Sequence, residues 1–337
     1  MPSVTGVSAI DELPDTSGHL SRGDRAGTGR LGDRVFAGGA RGAGLLVIAM
    51  VTLIGVFLLS QAIPALARDQ ANFLTSTEWS VAGDQPRFGI AGLLWTTVSS
   101  SVIAMCLAVP FGVALALFIT QYAPTWLSRP AATLIDLLAA VPSIVYGLWG
   151  ARVFGPHIGG LQDFLNSTLG WLPFFSTANV APTSSGTIFF IGIILSIMIL
   201  PIVTALSREV FAQTPTTHKE GALALGATRW EMIRTAVLPF GRAGVISAAM
   251  LGLGRALGET VAVTIILSTL SAGSPWSWSF LNGGETFASK IANNAGEFDS
   301  PQKAGAFIAA GLVLFVLTFV VNGIARIVIE RRKAFVE

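Results

Sequence analysis

The chain has 337 residues, of which 52% are apolar and 12% are charged, and its formal net charge is +2. Soluble domains carry about 25% charged residues, so this composition excludes an ordinary soluble protein and indicates one that crosses a membrane several times. The chain contains one cysteine, Cys106. An intrachain disulfide is therefore excluded, and the surrounding apolar run predicts a small buried side chain.

The N-terminal 41 residues are rich in Gly, Ser, Asp and Arg, and their composition predicts a disordered cytoplasmic tail. Residues 42–337 are predicted to form an all-α transmembrane domain, because six apolar segments reach the roughly 20 residues that span a bilayer. These segments are Gly44–Leu66, Gly92–Ile119, Ala131–Val153, Thr187–Leu206, Ala243–Leu270 and Ala304–Ile327. The second, third and fourth contain Pro110, Pro142 and Pro201, where kinks are expected.

The distribution of Lys and Arg predicts the orientation. Most of them lie in the N-terminal tail, in the loop after the fourth span and at the C-terminus. Both termini are therefore expected in the cytoplasm. The opposite loops are rich in aromatic residues, namely Trp79, Trp171, Phe174, Phe175, Trp276, Trp278 and Phe280. They are typical of membrane-interface anchors, and the alternative is a docking surface for an extracytoplasmic partner.

The fifth span contains two charged residues, Arg255 and Glu259, near its middle. Each costs about 2.5–3.5 kcal/mol at that depth, so the charged face is expected to lie against protein or a water-filled path. In a continuous helix the two residues, four apart, would share one face and could form an ion pair. Gly254 and Gly258 are predicted to serve helix packing, with close approach of a solute as the lesser alternative.

The loop at about residues 207–240 carries stacked helix signals. Thr214 and Pro215 predict a helix start, and Gly226 predicts a left-handed end near Leu225. Thr228 and Glu231 then predict a capping box for a second short helix that ends near Leu238 and Pro239. We interpret these two helices as a recognition knob, and the alternative is a plain helical connection.

Several segments resemble a known family. Glu220, Gly221, Ala222 and Gly226 resemble the "EAA" loop of ABC importer permeases, although Gly221 stands where alanine is usual. The segments Leu138–Gly147 and Gly252–Thr260 resemble signature segments of phosphate-specific ABC importer permeases of the PstC type. This resemblance covers roughly Phe88–Arg332, and the N-terminal tail lies outside it.

The resemblance implies a type I ABC importer permease fold in a prokaryotic plasma membrane. It implies a second homologous permease, a cytoplasmic ATPase dimer that docks on the loop around Glu220, and an extracytoplasmic phosphate-binding protein. The chain has no P-loop motif, so ATP hydrolysis is expected in a partner. No cofactor or metal ion is predicted, and dispersed histidines disfavour a catalytic enzyme.

Arg255, Glu259 and Thr260 are the candidate residues of the substrate path. A guanidinium matches phosphate oxygens, while Glu259 either neutralises Arg255 in the empty path or accepts a hydrogen bond from protonated phosphate. A buried ion pair that only fixes helix register is the structural alternative. A permease for another oxyanion, and a secondary transporter with Glu259 as a proton relay, remain alternative functions.

Overall fold

The computed structural model describes residues 29–81, 85–176, 185–270 and 274–333, with side chains for residues 32–327 of these ranges. Its helices are α1 (Gly29–Leu66), α2 (Ala91–Leu117), α3 (Thr125–Ala139), α4 (Ser143–Trp149), α5 (Gly159–Leu169), α6 (Ile188–Ala212), α7 (Thr216–Ala224), α8 (Arg229–Met232), α9 (Leu238–Leu257), α10 (Val261–Ile266), α11 (Phe287–Asn293) and α12 (Pro301–Lys333). Strands β1 (Trp79–Ser80) and β2 (Arg87–Phe88) form an antiparallel hairpin.

Within these described ranges, five helical stretches are long and apolar enough to cross a membrane. They are Gly32–Leu66, Ala91–Tyr122, Ile188–Ala212, Arg229–Leu257 and Pro301–Ile327. A sixth span results if the bent pair Thr125–Ala139 and Ser143–His157 is one broken segment. The predicted all-α polytopic architecture is confirmed, and the third span differs from the prediction by a 91° bend.

Helix α1 begins earlier than its hydropathy predicts. It starts at Gly29 and runs for 38 residues, so it includes residues 29–41 of the segment whose composition predicts a disordered tail. Helix propagation costs far less than nucleation, and the apolar residues from Leu45 onward supply the nucleus for extension into the Gly-rich segment. The tail before Gly29 lies outside the described residues. The chain's second compact unit begins at Gly55, and every site discussed below lies in that unit.

Helix α6 is the centre of the second unit. Buried residues make up 67% of its most apolar 18-residue stretch, and Ile191, Ile194 and Leu195 are fully buried. Helix α2 packs closely on α6 because Gly192 has no side chain: a Cβ there would lie 2.6 Å from the Ile103 side chain. Cys106 faces outward from α2, so the expectation that it is buried is wrong, since the buried face of α2 is taken by small Ser, Thr and Ala residues.

The bend in the third span lies between α3 and α4, where Ala140, Val141 and Pro142 interrupt the helix. Pro142 lacks an N–H and disfavours helical conformation in the preceding residue, so the predicted kink becomes a full break. Prolines 110 and 201 lie inside α2 and α6, which continue through them.

Candidate transport site and coupling loop

The fifth predicted span is broken at its charged residues. Helix α9 ends at Leu257, and Gly258 caps it with its N–H bonded to the Gly254 carbonyl at 3.3 Å. The chain becomes helical again only at α10. The expectation of an uninterrupted helix over 243–270 is therefore wrong. Glycine is the weakest ordinary helix former, and the carboxylate of the next residue, Glu259, can stabilise the start of a new helix.

Glu259 stabilises the start of α10. It is 8% exposed, and its Oε1 accepts a hydrogen bond from the Ala262 main-chain N–H at 3.1 Å. A side-chain oxygen that satisfies a free N–H in the first turn stabilises the helix it precedes. The neighbouring Thr260 donates its hydroxyl to the Gly258 carbonyl at 3.3 Å, within the break itself.

Arg255 lies one turn before the break and is half-buried. Ion pairs within 4.0 Å in the described chain join Arg87 to Glu78, Arg208 to Asp136, Lys290 to Glu285 and Lys303 to Asp299. The i,i+4 pair expected for Arg255 and Glu259 is not among them, because the helix that would align the two side chains ends between them. The guanidinium remains available to another group.

Arg255 lines an open groove of about 660 Å³ between α6, α9 and α12. Ser247 and Asn322 add polar side chains to the wall, and Ile202, Met250 and Leu251 add apolar ones. Arg255 also interacts electrostatically with the Tyr146 phenol on α4. A cation in the last turn of α9 is favoured by the helix dipole, which helps to hold this charge within the bundle.

The helices that follow the two breaks pack against each other. Helix α4, which follows the first break, packs against α10, which follows the second, through Gly147: a Cβ there would lie 3.0 Å from the Ala262 Cα. Tyr146 donates its hydroxyl to the Leu138 carbonyl at 2.9 Å and so spans the first break. The first segment that carries the phosphate-permease resemblance therefore packs next to the second break, and its Tyr146 interacts electrostatically with Arg255 of the second segment.

The glycines of α9 fall into two groups. Gly244 and Gly252 face α6, where an added Cβ would meet Val210 and Val203 respectively. Gly244 and Gly252 therefore allow α9 to pack closely on α6. Among the described residues, no neighbouring atom lies within 4 Å of a Cβ added at Gly254, and a Cβ added at Gly258 meets the Gly254 carbonyl oxygen. Packing within this chain therefore explains one group and leaves the other facing open space.

The loop at about residues 207–240, the candidate coupling loop, has the predicted turn chemistry. Gly226 adopts φ +86°, as the predicted left-handed helix end requires. The Glu231 N–H donates to Thr228 Oγ1 at 3.3 Å, and the Thr228 N–H donates to Glu231 Oε2 at 2.7 Å, which completes the predicted capping box. The pKa of the Glu231 carboxyl is lowered mainly by the Thr228 N–H bond and also by the Thr228 hydroxyl, which donates to Glu231 Oε2 at 2.8 Å.

Two details of the loop differ from the prediction. Helix α7 starts at Thr216 after Pro215, and Thr214 makes no cap; its hydroxyl is buried without a partner in the described chain. The helix that starts at Arg229 does not end near Pro239. It continues through a π-helical turn, Ile233–Val237, into α9. The wider turn removes the clash of the Pro239 ring with a carbonyl of the preceding turn.

Helix α7 is exposed and packs against the neighbouring helices through Ala222. None of its residues is fully buried, and Ala222 packs against a cluster that includes Phe211, Met232 and Val237. Glu220 and Gly221 face away from the bundle. Leu225 is 90% exposed and Trp230 is 57% exposed, which gives the loop an apolar outer surface.

An ion pair lies close in sequence to this loop. The Arg208 Nη2 of α6 donates to both carboxylate oxygens of Asp136 on α3, at 3.2 and 3.1 Å. Sequence analysis did not identify this ion pair, whose two residues lie 72 positions apart. It also did not identify Tyr146 as part of the site, although Tyr146 lies in the segment Leu138–Gly147 that resembles phosphate-specific permeases.

The comparisons with known proteins agree with this architecture. Residues 108–334 match the family described as "Binding-protein-dependent transport system inner membrane component". The chain is 54% identical over 298 residues to "Phosphate transport system permease protein PstC 2" of Mycobacterium tuberculosis, covering 88% of this chain and 91% of that one. It is 39% identical over 295 residues to the PstC permease protein of Xylella fastidiosa, covering 85% and 89%.

Among solved structures, an inward-facing MetNI methionine ABC transporter chain is 16% identical, with a TM-score of 0.49, over 72% of this chain and 95% of that one. The family match and the relatives confirm the resemblance to ABC importer permeases. They are membrane permease subunits and not enzymes. The chain belongs to the family of binding-protein-dependent transport system inner membrane components, and it is a multi-pass permease subunit of a bacterial inner membrane.

Proposed function

We propose that this chain is the permease subunit of an ATP-driven phosphate importer. The observation that carries the proposal is Arg255, a half-buried cation without a carboxylate partner in the described chain, in an open groove beside two broken helices. Intramembrane cations are costly and mark solute paths, and a guanidinium suits phosphate oxygens. The permease relatives named for phosphate transport support this choice of solute.

The path is proposed to run past Arg255, Glu259 and Thr260. Arg255 supplies the positive charge, and Thr260 lies in the adjoining break. Glu259 holds the start of α10 and places a carboxylate near the passing anion. A carboxylate repels a fully ionised oxyanion and accepts a hydrogen bond from a protonated one, so it favours phosphate over sulfate.

A second, homologous permease is proposed to complete the path. The face of α9 that carries Gly254 and Gly258 lies on the side of Arg255, and no side chain of the described residues comes within 4 Å of a Cβ added at either glycine. Small residues on a membrane helix allow a second helix to approach closely. One permease therefore supplies half of the path, and the partner permease supplies the other half.

ATP is proposed to act through the coupling loop. The exposed residues Glu220 and Gly221 would dock on a cytoplasmic ATPase dimer, and Ala222 transmits its movement to the cluster beneath α7. The helix from Arg229 to Leu257 is continuous over 29 residues. It therefore links the capping box at its start to Arg255 in its last turn, and a tilt at one end moves the other.

The test is reconstitution of the chain with the second permease, the ATPase and the phosphate-binding protein of its system in proteoliposomes. We expect radiolabelled phosphate uptake that requires ATP and each partner, and that excess sulfate leaves unchanged. Uptake that proceeds without the ATPase and follows the membrane potential would establish a secondary transporter instead. ATP-dependent uptake of sulfate in preference to phosphate would establish another oxyanion as the substrate.

A further inference from the structure

A second pocket lies at the end of the bundle opposite the coupling loop. Its volume is about 450 Å³, and it is bounded by β1, the first turns of α2 and α6, and the segment from Ser274 to Glu285 with Lys290 of α11. The function proposed above does not use it. By the predicted orientation, this end faces the extracytoplasmic space.

The pocket is held in shape by main-chain hydrogen bonds. The Gly284 N–H donates to the Ser268 carbonyl at 2.9 Å, and the Ile188 N–H donates to the Asn282 carbonyl at 2.8 Å. A Cβ on Gly283 would collide with the Ser268 carbonyl oxygen, so only glycine permits this approach. A binding site whose shape is already fixed loses little conformational entropy on binding.

The walls are aromatic. Trp79, Trp95 and Trp276 line the pocket, and Trp278 packs edge-on against Trp95 at 4.8 Å and against Trp276 at 5.2 Å. Indole faces attract cations. One cation already uses this property, because the Lys290 Nζ lies 5.6 Å from the centre of the Trp79 ring.

The polar groups of the lining have spare capacity to accept hydrogen bonds. Asn282 is 4% exposed, and its Oδ1 has no donor in the described chain. The Lys290 Nζ donates to Glu285 Oε2 at 2.8 Å, and the side chains of Glu285 and Lys290 are 15% and 14% exposed respectively. Glu78, at the rim, meets Arg87 at 3.3 Å. Each carboxylate offers about four acceptor positions, so neither is saturated by its one partner.

We propose that this pocket receives an arginine side chain carried on a loop of the extracytoplasmic binding protein. A guanidinium is flat, stacks on indole rings and offers five donors, which matches three aromatic walls and three acceptor groups. The loop's own carbonyl groups would also serve the Nε1–H groups of Trp79 and Trp95, which have no acceptor in the described chain. A free phosphate fits poorly, since the lining holds two carboxylates and one ammonium.

This inference rests on the proposed function, because it takes the binding protein as the partner. The experiment measures the affinity of the system's phosphate-binding protein for the assembled transporter in nanodiscs, with wild type, Glu78→Lys and Glu285→Gln. Asp299→Lys is the matched control, since Asp299 is 62% exposed and ion-paired with Lys303 but does not line the pocket. Glu78 is 58% exposed, so its replacement leaves the fold intact.

We expect Glu78→Lys to raise Kd by about tenfold or more, because it places a like charge beside the incoming arginine, and Asp299→Lys to change Kd by less than about twofold. Arg→Glu replacement of one surface arginine of the binding protein should restore its affinity for the Glu78→Lys transporter. Equal Kd values for wild type and Glu78→Lys, or equal losses in Glu78→Lys and the Asp299→Lys control, would overturn the inference.

A second arm tests the competing occupant. Inorganic phosphate is added to the transporter in the absence of the binding protein, and tryptophan emission is recorded. A phosphate-dependent change in wild type that Glu285→Gln abolishes would assign the pocket to the solute and overturn the inference. A separate uptake assay tests the proposed function itself. If phosphate uptake by the wild-type transporter does not depend on the binding protein, the proposed function is wrong.

Discussion

The Oε1 of Glu259 accepts a hydrogen bond from the Ala262 N–H at 3.1 Å, so this carboxylate caps α10 and does not pair with Arg255. The bond explains how the fifth span remains ordered although its helix ends at Leu257. It also leaves the Arg255 guanidinium facing the groove without a carboxylate that phosphate must displace.

Replacement of Glu259 separates the cap from the charge. Glu259→Gln keeps an oxygen that can accept from Ala262, whereas Glu259→Ala removes the cap at a cost of about 1 kcal/mol. We expect Glu259→Ala to lower the thermal stability of the purified complex and Glu259→Gln to leave it unchanged. In competition assays, Glu259→Gln should weaken the rejection of sulfate more than it weakens phosphate uptake. An unchanged competition profile with normal uptake would restrict Glu259 to its structural role.

The two groups of glycines on α9 predict opposite phenotypes. Gly244→Val forces a side chain into Val210 and should destabilise the subunit by about 1–3 kcal/mol. A Cβ at position 254 has no described atom within 4 Å outside its own helix turn, so Gly254→Val should change subunit stability by no more than about 0.5 kcal/mol, while recovery of the second permease on co-purification falls. Normal recovery with Gly254→Val would show that this face does not contact the partner permease.

The coupling loop predicts different outcomes for its two glycines. An alanine at Gly221 meets nothing within 4 Å and should stabilise α7 by about 0.5–1 kcal/mol without loss of uptake. Gly226→Ala must adopt φ +86°, which costs about 1–2 kcal/mol, and should reduce ATP-driven uptake by disordering the turn. The measurement is phosphate transported per ATP hydrolysed, and equal ratios in the two variants would contradict the role of the turn.

The two residues of the ion pair between Arg208 and Asp136 differ in burial, and this difference predicts how much the loss of Asp136 destabilises the complex. The Arg208 side chain is 18% exposed and that of Asp136 is 53% exposed. Asp136→Asn leaves a largely buried guanidinium without its counter-charge, so it should destabilise the complex more than removal of a surface ion pair, which costs about 1 kcal/mol or less. Thermal unfolding of Asp136→Asn against the surface-pair variant Asp299→Asn provides the comparison. Equal unfolding temperatures would contradict this prediction.

Hydropathy and turn chemistry predicted most of the fold. The left-handed Gly226 and the capping box of Thr228 and Glu231 depend on residues near one another in sequence, and both are confirmed. The apolar segments form helical spans as predicted, except that the third is bent and the helix of the fifth ends at Leu257. Hydropathy did not predict the helix breaks at Pro142 and Gly258, because it depends on the number of apolar residues and not on the direction of the chain.

The geometry of the candidate site depends on distant residues. The contact of Gly147 with Ala262, and the ion pair of Arg208 with Asp136, join helices whose mutual positions no local pattern specifies. Sequence reasoning found Arg255 and Glu259 from their rarity at that depth. It then assigned them to one helix face, since helix periodicity cannot reveal that a glycine and a capping carboxylate end the helix between them.

The most direct test of the central claim is phosphate uptake by Arg255 variants of the assembled transporter. A charge-assisted hydrogen bond contributes about 1.5–3 kcal/mol, so Arg255→Gln should lower uptake by about 10- to 100-fold, with Arg255→Lys retaining an intermediate rate. Arg152→Gln, at an exposed arginine outside the groove, should transport normally. Wild-type rates in both Arg255 variants would contradict the claim that phosphate passes Arg255.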